Sequence, residues 1–245
     1  MKKGFSHVEN FTGYMSRVYE IVLTGASQQK VLDIPAGNGL LAQKLEEQGH
    51  ILTRADINEE EDHFIFADMS EPLPFADNEF DTVICLEGLE HLINPALLIE
   101  EFCRTVKPGG RIIISLPNIQ NMYSRFHFMC TGTFFQFPPL LPSDAAKTEK
   151  VDLGHVASLS YVQLRYLFKR FGADLIDISG DKYKKKILLP FLIPFLLIGY
   201  FWIGKKNQQL PLKGATYDSD KKNLMQRNLL YSRSLILVFE KEEAR

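Results

Sequence analysis

The feature that most constrains the fold is a short apolar run that passes directly into a glycine-containing turn. Residues 31–34 read Val-Leu-Asp-Ile, and Pro-Ala-Gly-Asn-Gly follows before a helical pattern begins at Leu40. This order predicts a buried strand, a tight loop and a helix N-terminus. Such a junction directs backbone N–H groups and the positive end of a helix dipole toward the space beyond the strand. Gly37 and Gly39 remove side chains that would keep a ligand away from that backbone.

Composition is that of a globular protein in a reducing compartment. The 245 residues are 45% hydrophobic and 24% charged, with a formal net charge of −2. This balance gives no electrostatic reason to expect a nucleic-acid partner. Cys85, Cys103 and Cys130 are odd in number and lack CxxC spacing. We therefore expect neither disulfides nor a metal site, and a cytoplasmic location. No apolar run follows the N-terminal lysines, so no signal peptide is expected.

Strand and helix signals alternate through the first half of the chain. A helix is predicted from Leu40 to Gly49, and another begins at Asn94-Pro95, with Asn as the cap. This alternation predicts a doubly wound α/β sheet with helices on both faces. Apolar runs predict strands at residues 31–34, 51–55, 64–67, 80–86, 111–116, 175–178 and 234–239.

Two segments stand outside this alternation. In residues 1–30, apolar residues recur at a period of about 3.6, which predicts a helix at the start of the chain, here called the lead-in, packed on the sheet edge. The alternative is that Tyr14 and Arg17 of this lead-in close over a bound ligand. Residues 117–157 are rich in aromatic residues and proline and show no regular pattern, which is typical of a functional cap or a mobile loop. Ser160 is predicted to cap the helix that follows.

Acidic residues stand where four of the predicted strands end. Ligands of open α/β sheets bind beyond these carboxyl ends. Four acids around one glycine loop argue against a phosphate-bearing ligand, because the negative charges would repel one another. A nicotinamide loop also needs glycine where this chain has Leu40, and a P-loop needs Gly-Lys-Ser/Thr. S-adenosylmethionine, which is cationic and carries a ribose but no phosphate, suits the site better. The acids are Asp33, Asp56, Asp68 and Glu87.

Residues 31–118 resemble the class I S-adenosylmethionine-dependent methyltransferases of the type 11 group. Residues 33–39 are similar to the family's acid-x-Gly-x-Gly-x-Gly loop, with Pro35 in place of the first glycine. The resemblance implies one Rossmann-like, seven-stranded methyltransferase domain over residues 31–245, whose last strand is antiparallel. Later motifs keep the family's order: Ala67-Asp68-Met69, Leu73-Pro74-Phe75, Phe80-Asp81-Thr82-Val83, Leu86-Glu87-Gly88-Leu89-Glu90-His91 and Pro-Gly-Gly after Lys107.

The same resemblance implies roles for individual residues around S-adenosylmethionine. Asp33 and Gly37 would hold the methionine end, and Asp56 would bind the ribose hydroxyls. Asp68 and Met69 would contact the adenine. Leu86 and Glu87 would lie beside the methyl donor. The full set of expected cofactor-binding residues is Asp33, Ala36, Gly37, Gly39, Asp56, Asp68, Met69, Leu86 and Glu87.

Two histidines are candidates for a general base. Methyl transfer needs a base only where the acceptor must lose a proton, and histidine titrates near neutrality. His91 ends the Leu-Glu-Gly-Leu-Glu-His motif, and His155 lies in the connection from the cap to the next helix. We expect catalysis from His155 or His91; the alternative is that they only shape the pocket.

Residues 187–204 carry no charge and have lysines on both sides, at 184–186 and 205–206. Their 18 residues, interrupted by two prolines, are short of the roughly 20 needed for a spanning helix. A span would also separate two strands of one sheet. We expect the 184–206 insertion to contact the membrane peripherally, with lysines on anionic headgroups. The alternative is that it covers the sheet or a partner subunit.

These observations predict a methyltransferase at the cytoplasmic membrane face that acts on a small-molecule, lipid or lipid-linked acceptor. One alternative is a protein that binds S-adenosylmethionine without turnover. Another is a methyltransferase of a soluble metabolite, with residues 187–204 as a dimer interface. A nucleic-acid substrate is not expected, because no basic groove with interleaved aromatic residues is evident.

Overall fold

The protein is built on a seven-stranded sheet with the strand order β3-β2-β1-β4-β5-β7-β6. The computed structural model describes residues 10–57, 64–139, 154–183, 194–195, 197–199 and 222–243. The strands are β1 (Lys30–Asp33), β2 (Ile51–Asp56), β3 (Ile65–Phe66), β4 (Phe80–Leu86), β5 (Val106–Pro117), β6 (Ala173–Gly180) and β7 (Ser234–Lys241).

Strand directions confirm the predicted doubly wound sheet. β1 lies between β2 and β4 and pairs with both in parallel, so Asp33 is level with Arg54 on one side and Ile84 on the other. β7 runs antiparallel to both β5 and β6, which confirms the antiparallel last strand. The Pro-Gly-Gly stretch after Lys107, which precedes the strand predicted at residues 111–116, is part of β5, and the pairing register with β4 shifts there.

Helices cover both faces of the sheet. Val18 of α1 and Leu45 of α2 pack on one face together with Val31. Phe102 of α3 and Phe168 of α5 pack on the other. The lead-in helix α1 therefore lies on a face of the sheet and not at its edge as predicted. The helices are α1 (Gly13–Leu23), α2 (Leu40–Glu46), α3 (Pro95–Thr105), α4 (Met122–Thr131), α5 (Tyr161–Arg170) and α6 (Arg227–Tyr231).

Two predicted helix starts are found where expected, with different caps. Ser160 forms a capping box with Gln163, whose side chain accepts from the Ser160 N–H at 2.9 Å. Asn94 precedes α3, but its side chain makes no capping hydrogen bond. Pro95 at the first helical position has no N–H to satisfy, which lowers the demand for a cap.

Helix α4 lies in the segment that showed no regular pattern. The Asn121 side chain accepts from the Ser124 N–H at 2.8 Å, and Gly132, with φ 74°, ends the helix. Phe128 stacks on Phe134 at 4.5 Å between ring centroids, so the aromatic residues fold back on the helix. Met129 is 73% exposed, so the apolar residues of α4 do not share one buried face. The sequence therefore lacks the apolar period of about 3.6 residues that indicates a helix.

Parts of the predicted lead-in, cap and apolar insertion lie outside the described residues: 1–9, 140–153 and most of 184–206. Residues 58–63, in the predicted short second crossover, do as well. Within the described ranges, no helix combines the length and the apolar character needed to cross a bilayer.

Candidate active site

The glycine loop after β1 is tied to the end of β2. The Ala36 N–H donates to the Ala55 carbonyl oxygen at 2.9 Å, and the Gly37 N–H donates to Asp56 Oδ2 at 2.9 Å. Gly37 and Gly39 have φ of 58° and 70°, in the left-handed region that favours glycine. The loop therefore brings backbone N–H groups and the Asp56 carboxylate to one point beyond the strands.

Asp33 is a nearly fully buried acid beneath this loop, with 2% of its surface exposed. Burial raises its pKa to about 7; the Arg54 charge lowers that pKa and the Asp56 charge raises it. Arg54 also borders the loop, since a Cβ on Gly39 would lie 3.2 Å from its Nε. Sequence analysis did not select Arg54, because only the β1–β2 register places it level with Asp33.

Cofactor affinity is expected to fall in acid because of Asp33. The ionised Asp33 carboxylate attracts the cationic methionine end of the cofactor, and burial raises the pKa of Asp33 to about 7. Below that pH, the dissociation constant for S-adenosylmethionine should rise by up to about tenfold per pH unit. Calorimetric titrations between about pH 8 and 6 measure this. Asp33→Asn should bind more weakly and flatten the profile; a flat wild-type profile would contradict the assigned role.

The residues predicted to contact adenine lie next to Asp56. The Ala67 N–H donates to the Asp56 carbonyl oxygen at 2.9 Å, which holds the end of β3 against β2. Asp68 Oδ1 accepts from both the backbone N–H and the hydroxyl of Ser70, at 2.9 and 2.6 Å. Asp68 and Met69 are half-buried, as residues at the rim of a site would be.

Glu87 stands at the end of β4 in an unusual backbone conformation, with φ 49°. Its N–H donates to the Ser115 carbonyl oxygen at 2.9 Å, and the Ser115 hydroxyl donates to Glu87 Oε1 at 3.1 Å. Burial raises the pKa of Glu87 to about 7, against the lowering effect of hydrogen bonds from Ser115 and Ser234. The neighbouring Leu86 is buried.

Gly88 allows the end of β4 to pack on the glycine loop. A Cβ there would lie 2.8 Å from Pro35 Cδ and 3.0 Å from Cys85 Sγ. Gly88→Ala should therefore lower the free energy of unfolding by about 1–3 kcal/mol through overpacking. Urea unfolding measures this.

Gly13→Ala is the matched control, because its added Cβ meets chiefly the flexible Lys182 side chain, at 3.2 Å. We expect a change within about 0.5 kcal/mol for this control. Equal stability of Gly88→Ala and the wild type would show that the contact with Pro35 is not tight.

The two candidate bases, 64 positions apart in sequence (155 − 91), lie side by side. A 3₁₀ turn (Leu89–His91) follows β4, and the N–H groups of Val156 and Ala157 donate to the Glu90 carbonyl oxygen at 2.8 and 2.9 Å. These bonds bring the segment before α5 back to the turn. The rings of His91 and His155 then meet edge to face, 5.0 Å apart.

The turn after α4 orients His155. Its Nδ1 lies 2.6 Å from the Gln136 carbonyl oxygen, which can only accept, so Nδ1 carries the proton. Gln136 has φ 73°, and the next ring, Phe137, lies 5.1 Å from the imidazole. In the neutral ring, Nε2 therefore keeps the lone pair.

Of the two lead-in residues proposed to close over a ligand, only Tyr14 lies near the acids of the site. Burial raises the Tyr14 pKa, and the charges of Glu87 and Glu90 raise it further. Arg17 instead pairs with Glu20 at 2.8 Å and donates to Ser179 Oγ on β6 at 3.3 Å.

Comparison with known proteins agrees with this geometry. The sequence model of a family described as "Methyltransferase domain" matches residues 32–114. Residues 32–114 form a class I S-adenosylmethionine-dependent methyltransferase domain. The matched range contains the glycine loop, all four strand-end acids and the 3₁₀ turn with His91.

Curated relatives match the methyltransferase domain over part of their length. The chain is 32% identical to the ubiquinone biosynthesis O-methyltransferase of Pseudomonas aeruginosa (strain LESB58), over 38% of this chain and 47% of that protein. It is 32% identical to the demethylmenaquinone methyltransferase of Paenarthrobacter aurescens (strain TC1), over 40% and 45% respectively. The match thus spans about half the length of these relatives.

Solved structures resemble this fold over most of the chain, well beyond the residues 32–114 that the family model matches. The crystal structure of a SAM-dependent methyltransferase from Archaeoglobus fulgidus superimposes with a TM-score of 0.58 and covers 93% of both chains at 18% identity. At this identity the likeness concerns the fold alone. Together with the family match, it confirms the resemblance seen in the sequence.

Proposed function

We propose that this chain transfers a methyl group from S-adenosylmethionine to an oxygen of a small, lipid-linked acceptor at the cytoplasmic membrane face. The observation that carries the proposal is that three strand ends meet at the glycine loop: Asp33 precedes it, Asp56 accepts from the Gly37 N–H, and Gly88, next to Glu87, packs on Pro35. The name of the Pseudomonas aeruginosa relative supports an oxygen acceptor, and the quinones in both relatives' names support a membrane-soluble molecule.

The residues beyond the strands suit S-adenosylmethionine by their chemistry. The Asp33 carboxylate, buried under the loop, provides negative charge for a cationic ligand. Asp56 lies at the end of β2, where a carboxylate can accept from two neighbouring ribose hydroxyls. Asp68 and Met69 extend this surface toward the adenine, and Leu86 with Glu87 borders the reacting end. When bound, the cofactor supplies a methyl group that is activated by a positively charged sulfur.

We assign acceptor chemistry to His91 and His155. Their rings meet 5.0 Å apart, and the Gln136 carbonyl oxygen holds His155 in place. A hydroxyl that reaches them can be positioned for in-line attack and can lose its proton there. The described parts of the predicted cap, residues 117–139 and 154–157, are proposed to cover this side of the site and to shield the reaction from water.

Membrane contact is proposed for the 184–206 insertion. The part of it that the structure describes exposes apolar side chains: Phe195 is 70%, Leu197 51% and Ile198 65% exposed. Flanking lysines are worth about 1 kcal/mol each at an anionic surface. Deletion of residues 187–204 should therefore move the protein from sedimenting vesicles to the supernatant. Sedimentation equal to that of the full chain would exclude anchoring, and a detergent-free dimer broken by the deletion would favour the interface alternative.

The proposed reaction is tested with labelled methyl groups. Full-length protein, S-adenosylmethionine labelled in its methyl group and a lipid extract should give label in the organic phase and release S-adenosylhomocysteine. Asp56→Ala is the matched negative control. Label that enters only water-soluble metabolites would contradict the lipid-linked acceptor, while cofactor binding without any label transfer would favour the non-catalytic alternative.

A further inference from the structure

Three side chains at the edge of the proposed site converge on one point. Glu90, His91 and His155 each offer a ligand atom, and these atoms all lie within 4.8 Å of one another. Glu90 is fully buried, and both histidines are half-buried. Two imidazoles and one carboxylate form the ligand set of many catalytic sites for first-row divalent cations.

His155 is oriented as a metal ligand would be. Its Nδ1–H donates to the Gln136 carbonyl oxygen at 2.6 Å, so in the neutral ring Nε2 is the nitrogen whose lone pair can bind a cation. Histidines that bind metals usually donate their other ring N–H to a carbonyl or carboxylate in this way. Gln136 adopts φ 73°, which is uncommon for a residue with a side chain, and thereby presents this carbonyl.

The backbone holds the three residues as one unit. Glu90 and His91 share the 3₁₀ turn. The N–H groups of the two residues after His155 donate to the Glu90 carbonyl oxygen at 2.8 and 2.9 Å and so hold the segment that contains His155 against this turn. A cation with bonds of about 2.1 Å needs ligand atoms about 3.4 Å apart in tetrahedral geometry. The limit of 4.8 Å, within which the three ligand atoms lie, includes this spacing.

We propose that Glu90, His91 and His155 bind a divalent cation that holds the acceptor oxygen. The inference rests on the proposed function, because it assigns to the cation the handling of the acceptor's proton. Three protein ligands leave coordination positions open to substrate. An acceptor with a hydroxyl and a second oxygen on the neighbouring carbon can fill two of them, and we assign the acceptor to this chemical class.

With the cation bound, His91 and His155 act as its ligands and no longer as the general bases of the proposed function. Coordination lowers the pKa of a bound hydroxyl, whose proton then passes to water. The oxygen's electron pair forms the new O–C bond, and the C–S bond breaks with its electrons going to sulfur, which becomes neutral. The expectation of no metal was drawn from cysteine spacing alone, and this ligand set contains no cysteine.

Cobalt binding tests the site without any need for the acceptor. Untagged full-length protein, stripped with a chelator, is titrated with Co²⁺, and visible absorption reports coordination. We expect one Co²⁺ per chain, with at least tenfold weaker binding in His155→Ala and His91→Ala. His127→Ala is the matched control, because its Nδ1 also lies near a backbone carbonyl oxygen, that of Thr133 at 2.7 Å, but it lies outside the cluster.

The outcomes separate this site from the cofactor site. Absence of Co²⁺ binding to the wild type, or equal binding by both cluster variants and the control, would overturn the proposal. Thermal unfolding identifies a variant that fails to fold, and Glu90→Gln, which keeps the side-chain shape, then serves as the second test. Calorimetric titration of the stripped protein with S-adenosylmethionine tests the proposed function independently. The cation site and the proposed function can therefore each fail without the other.

Discussion

Asp56→Ala is expected to weaken S-adenosylmethionine binding by about 100-fold or more. In the proposed function, the carboxylate accepts charge-assisted hydrogen bonds from two ribose hydroxyls, each worth about 1.5–3 kcal/mol. It also accepts from the Gly37 N–H at 2.9 Å, so its removal loosens the loop that surrounds the cofactor. Calorimetric titration of the variant and the wild type measures the change.

Asp77→Ala is the control for Asp56→Ala. Asp77 is an exposed acid that pairs with Arg104 at 2.7 Å, away from the strand ends, and its loss should leave the affinity unchanged. An Asp56→Ala variant that binds as tightly as the wild type would remove Asp56 from the cofactor site and, with it, the proposed orientation of the ligand.

His155→Ala is expected to bind cofactor normally and to turn over about 100-fold more slowly or worse, the usual range for loss of a group that handles a proton. Its imidazole lies beside His91 and is held by the Gln136 carbonyl oxygen, and we propose that the acceptor binds there. Release of S-adenosylhomocysteine, measured with the acceptor fraction found by methyl labelling, gives the rate.

His127→Ala, on helix α4, is the control for His155→Ala. Cofactor affinity measured on the same preparations separates slow chemistry from a collapsed cofactor site. Wild-type turnover in His155→Ala would exclude the histidine from the reaction, whether as a base or as a cation ligand.

The sheet could be predicted from sequence because its strands are buried on both faces. Continuous apolar runs such as residues 80–86 stand out without any knowledge of their partners. The proposed cofactor residues could be selected from local patterns as well: Asp33 and Asp56 are the last residues of their strands, and parallel strands end at one edge of a sheet. Local patterns alone are sufficient for both.

The remaining parts of the site depend on contacts between distant segments. Arg54 reaches the glycine loop through the β1–β2 register, which no local pattern specifies. His91 and His155 were each selected for their titration chemistry, but only the hydrogen bonds to the Glu90 carbonyl oxygen bring them together. Helix α4 was missed because its aromatic side chains point both to solvent and to the following turn.

The most direct test of the central claim is a calorimetric titration of the purified full-length protein with S-adenosylmethionine. The account predicts one binding event per chain with micromolar affinity, because the strand-end acids and the glycine loop are already arranged around the ligand's position. Absence of binding would mean that the loop containing Pro35 does not accept this cofactor, and the proposed methyltransferase function would be contradicted.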